Sequence, residues 1–449
     1  MARVANGAGW RAAFSDRWLM LMLIGGIAER YAWLAIQYRA GHRTAAGEAF
    51  RVAVHVARGQ GYAGAYRFTD APTAHVLPIP PTIAGGVYAL LGVGTLPAEL
   101  VLATWSIALA IGAYLLFDRA FTRLGTPLVA RRLALASLLF LNPYLGVEVI
   151  DFRVWDGGLA TLVAALWLNR LLDAVAPRPA PARTWAQLAA LAALLLFINP
   201  LLGLGAVGCT GIAAVTRLAW RETARVAAVG ALTLALFVVP WTIRNAVVMG
   251  KPMPLRSNGG LELALTMYPG AMTTPASRAR RAEERLMEVH PFMSRTAFEA
   301  MRRAGGEVPY FDALGRASVR WMRDNPAAAA AVMLGHLRQT VAPPVWLFEI
   351  LGNGRLVLLK ALLAQAGSLG GIAGIALALR ARRGGWGYLA LFLAVPMTLY
   401  LPFQIVTRYL YLFYPPLVFA GADGAAQFAI ALRRLRAFPA RAKRDRQAA

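Results

Sequence analysis

The chain has 449 residues, of which 58% are hydrophobic and only 15% are charged, and its formal net charge is +25. Soluble domains carry about 25% charged residues, so this composition argues against a soluble fold and favours a membrane protein. The single cysteine, Cys209, excludes a disulfide framework and a thiolate metal centre. In a soluble chain such a positive charge would suggest nucleic acid, but here the basic residues stand in short groups between apolar runs, so we expect no nucleic-acid partner.

Apolar runs long enough to cross a bilayer recur along the whole chain. A helical span needs roughly 20 apolar residues, because every backbone polar group must be bonded internally. Basic groups separate these runs near residues 3–17, 119–132, 170–183, 217–225, 380–383 and 433–446. Because positive charge favours the cytoplasmic face, each group is assigned there. The sequence therefore predicts an all-α polytopic protein of the plasma (inner) membrane, with about ten transmembrane helices and both termini in the cytoplasm.

This topology leaves three extracytoplasmic segments on a single integral membrane domain that covers residues 1–449. The first apolar run, from Trp18, lacks a signal-peptide cleavage site and is interpreted as a retained span. The first outer loop covers residues 38–97, the second 148–156 and the long loop 241–354, while 433–449 form a basic cytoplasmic tail. The apolar runs 80–93 and 327–350 are assigned to the outer loops, because Pro, Gly or charged residues interrupt or bracket them. We expect juxtamembrane helices in the first and the long loop, including an amphipathic stretch from Arg278 to Met301.

The first outer loop opens with an acidic residue on an amphipathic segment, GEAFRVAVHVARGQGY, which begins at residue 47. Glu48 starts the segment, and Arg51 lies three residues later on the same helix face. Ionisable residues at a membrane edge are costly, so Glu48 is a candidate functional group. The alternative is an acid that interacts with the positive end of the helix dipole.

A proline-rich segment, DAPTAHVLPIPPTIAG, follows from residue 70. Its four prolines predict a rigid, non-helical approach to the membrane. His75 within it is a candidate ligand or proton carrier, and the alternative is a hydrogen-bonded structural histidine. Asp70 is the other acid of this loop.

The remaining candidates lie at the outer ends of spans. Asp151 and Asp156 belong to the second outer loop, where Asp156 could act near Glu48 or cap the following helix. Arg244 and Arg408 stand on the face where positive charge is disfavoured, which suggests a local anion such as a phosphate. The alternatives for these arginines are a salt bridge to an outer acid such as Glu349, or interfacial snorkelling.

Several short motifs occur in a fixed order along the chain. They are Glu48, Val52-Ala53, Gly59-Gln60-Gly61-Tyr62, Pro72-Thr73-Ala74, Pro78-Ile79-Pro80-Pro81, Asn142-Pro143 leading to Asp156, Pro240-Trp241-Thr242-Ile243-Arg244-Asn245, Ser257-Asn258-Gly259-Gly260, Arg408-Tyr409 and Pro415. This ordered set resembles the GT-C superfamily of membrane glycosyltransferases, in particular the bacterial branch related to glycosyltransferase family 39, the protein-mannosyltransferase-like enzymes. The resemblance implies a GT-C-like helical bundle with its active site on the extracytoplasmic face.

The resemblance also implies roles for the candidate residues. The expected donor is a polyprenyl-phosphate-linked sugar, and the expected acceptor is a glycan, a lipid or a protein, with membrane lipids as further partners. Glu48 is the expected base in an inverting displacement, and Asp156 is the second catalytic candidate. Arg244, Arg408, Asn245, His75 and Tyr62 are assigned to substrate or phosphate binding. Asp70 and Asp151 are assigned to support the acceptor or a divalent metal such as Mg or Mn, although the sequence shows no compelling metal cage.

Other functions remain open at this point. A transporter or flippase of a lipid-linked saccharide would also place arginines near lipid phosphate, but transporters usually carry polar or broken helices at the bilayer midplane. A polymerase or ligase that uses a pyrophosphate-linked glycan would differ in its donor. A purely structural membrane protein does not explain the ordered motifs.

Overall fold

The computed structural model of the chain describes residues 17–41, 44–271, 278–349 and 356–447, without the side chains of 278, 279, 349 and 433–447. Over these residues the fold is all-α, and the extended backbone amounts to one isolated antiparallel bridge between Ala63 and Pro72. The predicted all-α membrane fold is confirmed.

In the first half of the chain, long apolar helices alternate with shorter helices. They are α1 (Arg17–Arg39), α2 (Glu48–Ala57), α3 (Ile79–Leu91), α4 (Leu96–Arg123), α5 (Leu128–Phe140), α6 (Leu145–Val149), a 3-10 turn (Asp151–Arg153), α7 (Gly157–Ala174), α8 (Ala182–Ile198), α9 (Pro200–Arg217) and α10 (Trp220–Met249). The predicted juxtamembrane helix of the first loop is therefore α2.

The second half begins with the short helices of the long loop and returns to apolar rods. They are α11 (Gly259–Ala264), α12 (Arg278–Val289), α13 (Arg295–Arg303), α14 (Glu307–Asp324), α15 (Pro326–Val341), α16 (Trp346–Glu349), α17 (Val357–Arg380), α18 (Trp386–Leu399), α19 (Thr407–Tyr411) and α20 (Tyr414–Gln447). The helices predicted in the long loop are thus confirmed.

Six described helices are long and apolar enough to cross a membrane: α1, α4, α9, α10, α17 and the part of α20 that ends at Leu432. A seventh span results if α5 and the segment Leu145–Arg153, which meet at a 71° bend, are counted together. The helices α3, α8 and α18 are apolar but shorter. The predicted total of about ten spans is reached if α7, α8 and α18 also cross the membrane. Each of these three helices covers a stretch of sequence that was predicted to be a span.

Two buried ion pairs join α1 and α4 to the segment Leu145–Arg153. Arg30 of α1 donates to Glu148 at 2.7 Å, and both side chains are fully buried. Arg153 lies 2.7 Å from Glu99 of α4, whose other carboxylate oxygen accepts from Tyr88 at 2.9 Å. Unpaired charges would be very costly at this degree of burial, so these pairs fix the segment Leu145–Arg153 on α1 and α4. The charge of Glu148 is therefore balanced by Arg30, and Glu148 has a structural role.

Helices α17 and α20 pack closely, because glycines face each other along the contact. A Cβ added at Gly374 would lie 2.0 Å from the carbonyl oxygen of Ala420, and one at Gly371 would lie 2.5 Å from that of Leu417. Small residues allow two helix backbones to approach where lipid supplies no hydrophobic driving force.

Two local predictions differ from the structure. The proline-rich segment is non-helical only up to Pro78, and α3 begins at Ile79 with Pro80 and Pro81 in its first turn. Proline is tolerated there because first-turn N–H groups have no intrahelical partner. The amphipathic stretch from Arg278 to Met301 is divided into α12 and α13, since Pro291 interrupts it and Ser294 caps α13 by accepting from the Ala297 N–H at 3.1 Å.

Candidate active site

Helix α2 places Glu48 at the inner side of the first outer loop. Ala49, Val52 and Ala53 are fully buried on the face that packs against α3. Glu48 is 8% exposed and lies in the first turn of the helix, where the helix dipole favours a negative charge. The predicted dipole interaction and a functional role are therefore compatible at this residue.

His75 is fixed by hydrogen bonds on its outer side. Its Nδ1 lies 3.2 Å from the hydroxyl of Tyr66, which also bonds to Glu307. A Tyr66 hydroxyl that donates to Glu307 accepts from the Nδ1–H of His75, which leaves the Nε2 lone pair free. Burial lowers the pKa of His75 to about 3. His75 is therefore a neutral imidazole with one nitrogen available.

The carboxylate of Glu307 ties the first outer loop to the long loop. It accepts from the Thr73 hydroxyl at 2.6 Å, from the Ala74 N–H at 3.0 Å and from the Ser257 hydroxyl. Burial raises the pKa of Glu307, although these hydrogen bonds act in the opposite direction. Glu307 thereby sets the position of the segment that carries His75.

His290 enters the site from the break between α12 and α13. Its Nε2 lies 3.4 Å from Oε1 of Glu48, and its Nδ1 accepts from the Phe292 N–H at 3.3 Å. A neutral imidazole that accepts at Nδ1 carries its proton on Nε2, so His290 presents an N–H to Glu48. Burial lowers the pKa of His290, and the charge of Glu48 opposes this shift.

Glu48, His75 and His290 form one buried group, and a ligand atom from each lies within 4.8 Å of the others. Burial alone would raise the pKa of Glu48, but the neighbouring histidine N–H groups, a hydrogen bond from its own backbone and the charge of Arg408 act in the opposite direction, and the pKa lies below its ordinary value. Glu48 is thus a carboxylate at neutral pH. Two imidazoles and one carboxylate suit Zn²⁺ or a similar transition metal better than Mg²⁺, which prefers oxygen ligands.

A second polar cluster adjoins this group. Asp156 accepts from Arg256 at 3.0 Å and from the Asn199 side chain at 3.0 Å. Asn199 in turn caps α9 by accepting from the Leu202 N–H at 3.1 Å. Asp156 is the N-cap residue of α7 but makes no side-chain capping hydrogen bond. It acts here as the anion that holds Arg256.

Two arginines, Arg408 and Arg256, place positive charge near the buried group of Glu48, His75 and His290. Arg408 lies over the ring of Trp155 at 4.1 Å from the centroid, and its charge acts on Glu48 and both histidines. The charge of Arg256 acts on His75. Glu262 of α11 lies near both arginines, yet burial outweighs them and raises its pKa to about 7.

Three predicted phosphate-binding residues have other partners. Arg244 donates to the carbonyl oxygen of Thr73 at 2.7 Å, to the side chain of Asn245 at 2.9 Å and to the carbonyl oxygen of Tyr62. Asn245 is fully buried and donates to the Met253 carbonyl at 2.8 Å. The Tyr62 hydroxyl donates to the Leu77 carbonyl at 2.8 Å. These residues hold the backbone on which His75 lies.

The two acids assigned to metal or acceptor support are not brought into the buried group. The Asp70 side chain is 77% exposed and pairs with His55 at 2.9 Å. Asp151 begins the 3-10 turn, and its charge interacts with Arg408 and Arg153. The side chain of Glu349, considered as a partner of the arginines, lies outside the described part of the chain.

An apolar cavity of about 480 Å³ lies beside Trp241. Its walls come from the start of α3, the end of α8 and the outer part of α10: Pro78, Ile79, Thr82, Ile83, Phe197, Leu236, Phe237, Pro240 and Trp241. Leu236 is 69% exposed on a helix that qualifies as a membrane span, so the cavity opens toward lipid.

Four residues of the site were missed by the sequence reasoning: Arg256, Glu262, His290 and Glu307. Arg256 directly precedes the Ser257-Asn258-Gly259-Gly260 motif, and Glu262 lies two residues after it, so this motif could have indicated both. His290 stands before the proline that divides the amphipathic stretch. Glu307 carries no local signal, because its partners come from distant parts of the chain.

No protein-family model matches the chain, and no curated protein sequence matches it. Among solved structures, ArnT from Cupriavidus metallidurans bound to undecaprenyl phosphate is similar with 16% identity and a TM-score of 0.36, over 91% of this chain and 78% of ArnT. The apo state of the same protein gives 18% identity and a TM-score of 0.35, over 94% of this chain and 78% of ArnT. ArnT is a GT-C glycosyltransferase. A similarity this low does not transfer the ligand or the activity of ArnT to this chain.

Proposed function

We propose that the protein is a membrane glycosyltransferase of the GT-C type, which moves a sugar from a polyprenyl-phosphate carrier to an acceptor at the extracytoplasmic face. One observation carries the proposal: a buried carboxylate with two neutral histidines stands beside two arginines. Displacement at a sugar phosphate requires a base for the attacking hydroxyl and positive charge that stabilises the leaving phosphate. The carboxylate and the arginines can supply these two functions.

Glu48 is the proposed catalytic residue. The acceptor hydroxyl must lose a proton as it attacks the anomeric carbon, and a buried carboxylate within hydrogen-bond reach can accept it. The low pKa keeps Glu48 ionised, and the N–H of His290 orients it. One carboxylate on the face opposite the leaving phosphate fits inverting displacement.

Arg408 and Arg256 are the proposed phosphate-binding residues, and Arg256 takes the role first expected for Arg244. A phosphate monoester leaves without strong acid help if its negative charge is stabilised, and arginine can donate two parallel hydrogen bonds to it. Asp156 keeps Arg256 in place through its 3.0 Å contact. Asp156 is therefore a positioning residue in this proposal, and Arg244 positions the backbone of the first loop.

The apolar cavity beside Trp241 is the proposed site for the first isoprenoid units of the carrier. It lies next to Tyr62, whose ring contacts Trp241 at 5.1 Å, and it opens toward lipid. A lipid-linked donor explains why the polar clusters lie at the membrane edge.

A divalent metal ion, if bound, would be held by Glu48, His75 and His290, and would supply positive charge that favours deprotonation of the acceptor hydroxyl. The free Nε2 of His75 fits this role, because Tyr66 holds the other ring nitrogen as outer partners of metal-bound histidines do. His290 would have to give up its contact with the Phe292 N–H to offer Nε2 to the ion.

The protein-mannosyltransferase-like branch, the identity of the sugar and the choice among lipid, glycan and protein acceptors are further parts of the proposal. The ordered motifs of the first loop support that branch. The transport alternative is less well supported, because the polar clusters gather at the outer ends of spans rather than at the midplane of paired broken helices.

The proposal is tested with purified protein in lipid and radiolabelled polyprenyl-phosphate sugars. Glu48→Gln should reduce transfer about 100-fold or more, since a general base contributes that much, and should leave donor binding largely intact. Glu299→Gln is the matched control, because Glu299 is a solvent-accessible acid of the long loop that pairs with Arg295 at 3.1 Å and lies outside the buried group. Wild-type transfer by Glu48→Gln would exclude the base assignment. Movement of the intact lipid-linked sugar across the bilayer without transfer would favour a flippase.

A further inference from the structure

A cationic cavity of about 490 Å³ lies between α11 and α14, outside the clusters described above. It is lined by Gly260, Leu263, Phe311, Asp312, Gly315, Arg316, Val319, Arg320 and Arg323. The two helices come close because both glycines lack a side chain: a Cβ added at Gly260 would lie 2.0 Å from the carbonyl oxygen of Phe311.

Three arginines of the cavity share one helix face. Arg316, Arg320 and Arg323 are spaced by four and three residues, which places them on the same side of α14. All three are exposed, and none forms an ion pair with a carboxylate in the part of the chain that the structure describes. The one acid of the lining, Asp312, is neutralised by Lys251 at 2.6 Å. The cavity therefore carries an uncompensated charge of about three positive units.

The arginine face leads directly to the membrane surface. The apolar helix α15 follows α14 after Asn325, and its Leu334 and Leu337 are 67% and 38% exposed. His336 of α15 bonds to the Leu401 carbonyl at 2.7 Å, just past the end of α18, and the Pro343 carbonyl accepts from Gln365 of α17 at 2.9 Å. The helix α15 and the residues after it are thus joined to two apolar helices, which places exposed leucines beside candidate membrane spans.

The cavity is also close to the buried histidines. Phe311 lines it, and the ring of Phe311 lies 6.1 Å from that of His75. Helix α11 separates the two sites: Leu263 faces the cavity, and the charge of Glu262 acts on the arginines of the active site.

We propose that this cavity binds the phosphate headgroup of an anionic membrane phospholipid. Three arginines without a carboxylate partner attract the negative charge of a phosphodiester and can donate paired hydrogen bonds to its oxygens. The exposed leucines of α15 supply the surface along which the acyl chains lie. The bound lipid would hold α14 against the bilayer and so keep the site beside Phe311 at the membrane surface. This binding does not depend on the transfer reaction.

The test uses the full chain in nanodiscs of phosphatidylcholine with a minor fraction of phosphatidylglycerol, followed by mass spectrometry of the lipid that stays bound after extraction. Wild type should retain phosphatidylglycerol about tenfold or more over its share in the disc. The variant Arg316→Gln/Arg320→Gln/Arg323→Gln should lose this enrichment. The control Arg280→Gln/Arg295→Gln/Arg303→Gln removes the same charge from exposed positions of the same loop and should keep it.

Three outcomes would overturn the proposal: no enrichment in wild type, equal loss in the control variant, or displacement of the lipid by inorganic phosphate, which would indicate a free-anion site instead. Because the measurement is of binding, loss of sugar transfer by Glu48→Gln leaves its outcome unchanged. The two proposals can therefore fail separately.

Discussion

The carboxyl groups of Glu48 and Glu262 belong to the same polar region but ionise over different pH ranges. Burial favours the neutral acid at both. At Glu48 the histidine N–H groups, a backbone hydrogen bond and the charge of Arg408 outweigh burial and lower the pKa, whereas at Glu262 burial prevails over Arg256 and Arg408 and raises the pKa to about 7. One group is therefore a permanent anion near neutral pH, and the other changes charge there.

Ionisation of Glu262 should make stability fall as the pH rises. A carboxyl group whose pKa is raised from 4.5 to about 7 on folding favours the folded state below pH 4.5, and this contribution is lost as the pH rises through about 7. Its size is at most about 4 kcal/mol, because one pKa unit corresponds to about 1.4 kcal/mol.

Glu262→Gln should flatten the decrease in apparent Tm between about pH 5 and pH 8, measured by fluorescence in detergent. Glu299→Gln, at a solvent-accessible position, should retain the wild-type profile. Parallel profiles for wild type and Glu262→Gln would contradict the assignment.

At the same scale, the sequence identified one half of the active site and missed the other. Glu48 and His75 were predicted because charged and titratable residues at a membrane edge require an explanation. His290 lies in a different loop, and only the folded chain brings its Nε2 to 3.4 Å from Glu48. Arg244 was singled out for its position at a span end, which does not reveal that backbone carbonyls occupy its guanidinium group.

At the scale of elements, hydrophobic runs predicted the long helices well. Backbone groups must be bonded inside the helix within hydrocarbon, so such a run leaves little choice of structure. The short outer helices were less predictable. The start of α3 at Ile79 depends on prolines that fit a first turn, and the end of α12 depends on Pro291.

The contact between α17 and α20 makes a prediction at this scale. Gly374→Val should separate the two helices, because even a Cβ at this position would overlap the Ala420 carbonyl. We expect a loss of about 1–3 kcal/mol or more, seen as a lower apparent Tm. Gly208→Val is the matched control, since nothing lies within 4 Å of an added Cβ there and the change in helix propensity is the same. A similar decrease for both variants would show that helix propensity rather than contact is responsible.

For the whole molecule, the charge pattern predicts which face each loop occupies. Cys209 is fully buried, so single cysteines can be added to a Cys209→Ala chain and labelled with a membrane-impermeant maleimide. Arg303→Cys, in the long loop, should react in intact cells. Ala381→Cys, between α17 and α18, should react only after permeabilisation. The reverse result would invert the topology and place the active site in the cytoplasm.

The hydrogen bonds of Glu307 restrict the route by which substrates can reach Glu48. One carboxylate joins α14 to both Thr73 and Ser257, so the first loop and the long loop cannot part at this point without exposing a buried acid. A hinged lid that opens here to the aqueous side would have to break all of these bonds at each turnover. The lipid carrier is therefore expected to reach Glu48 laterally from the bilayer, between the helices α3 and α10. It can then enter and leave the site without departing from the membrane.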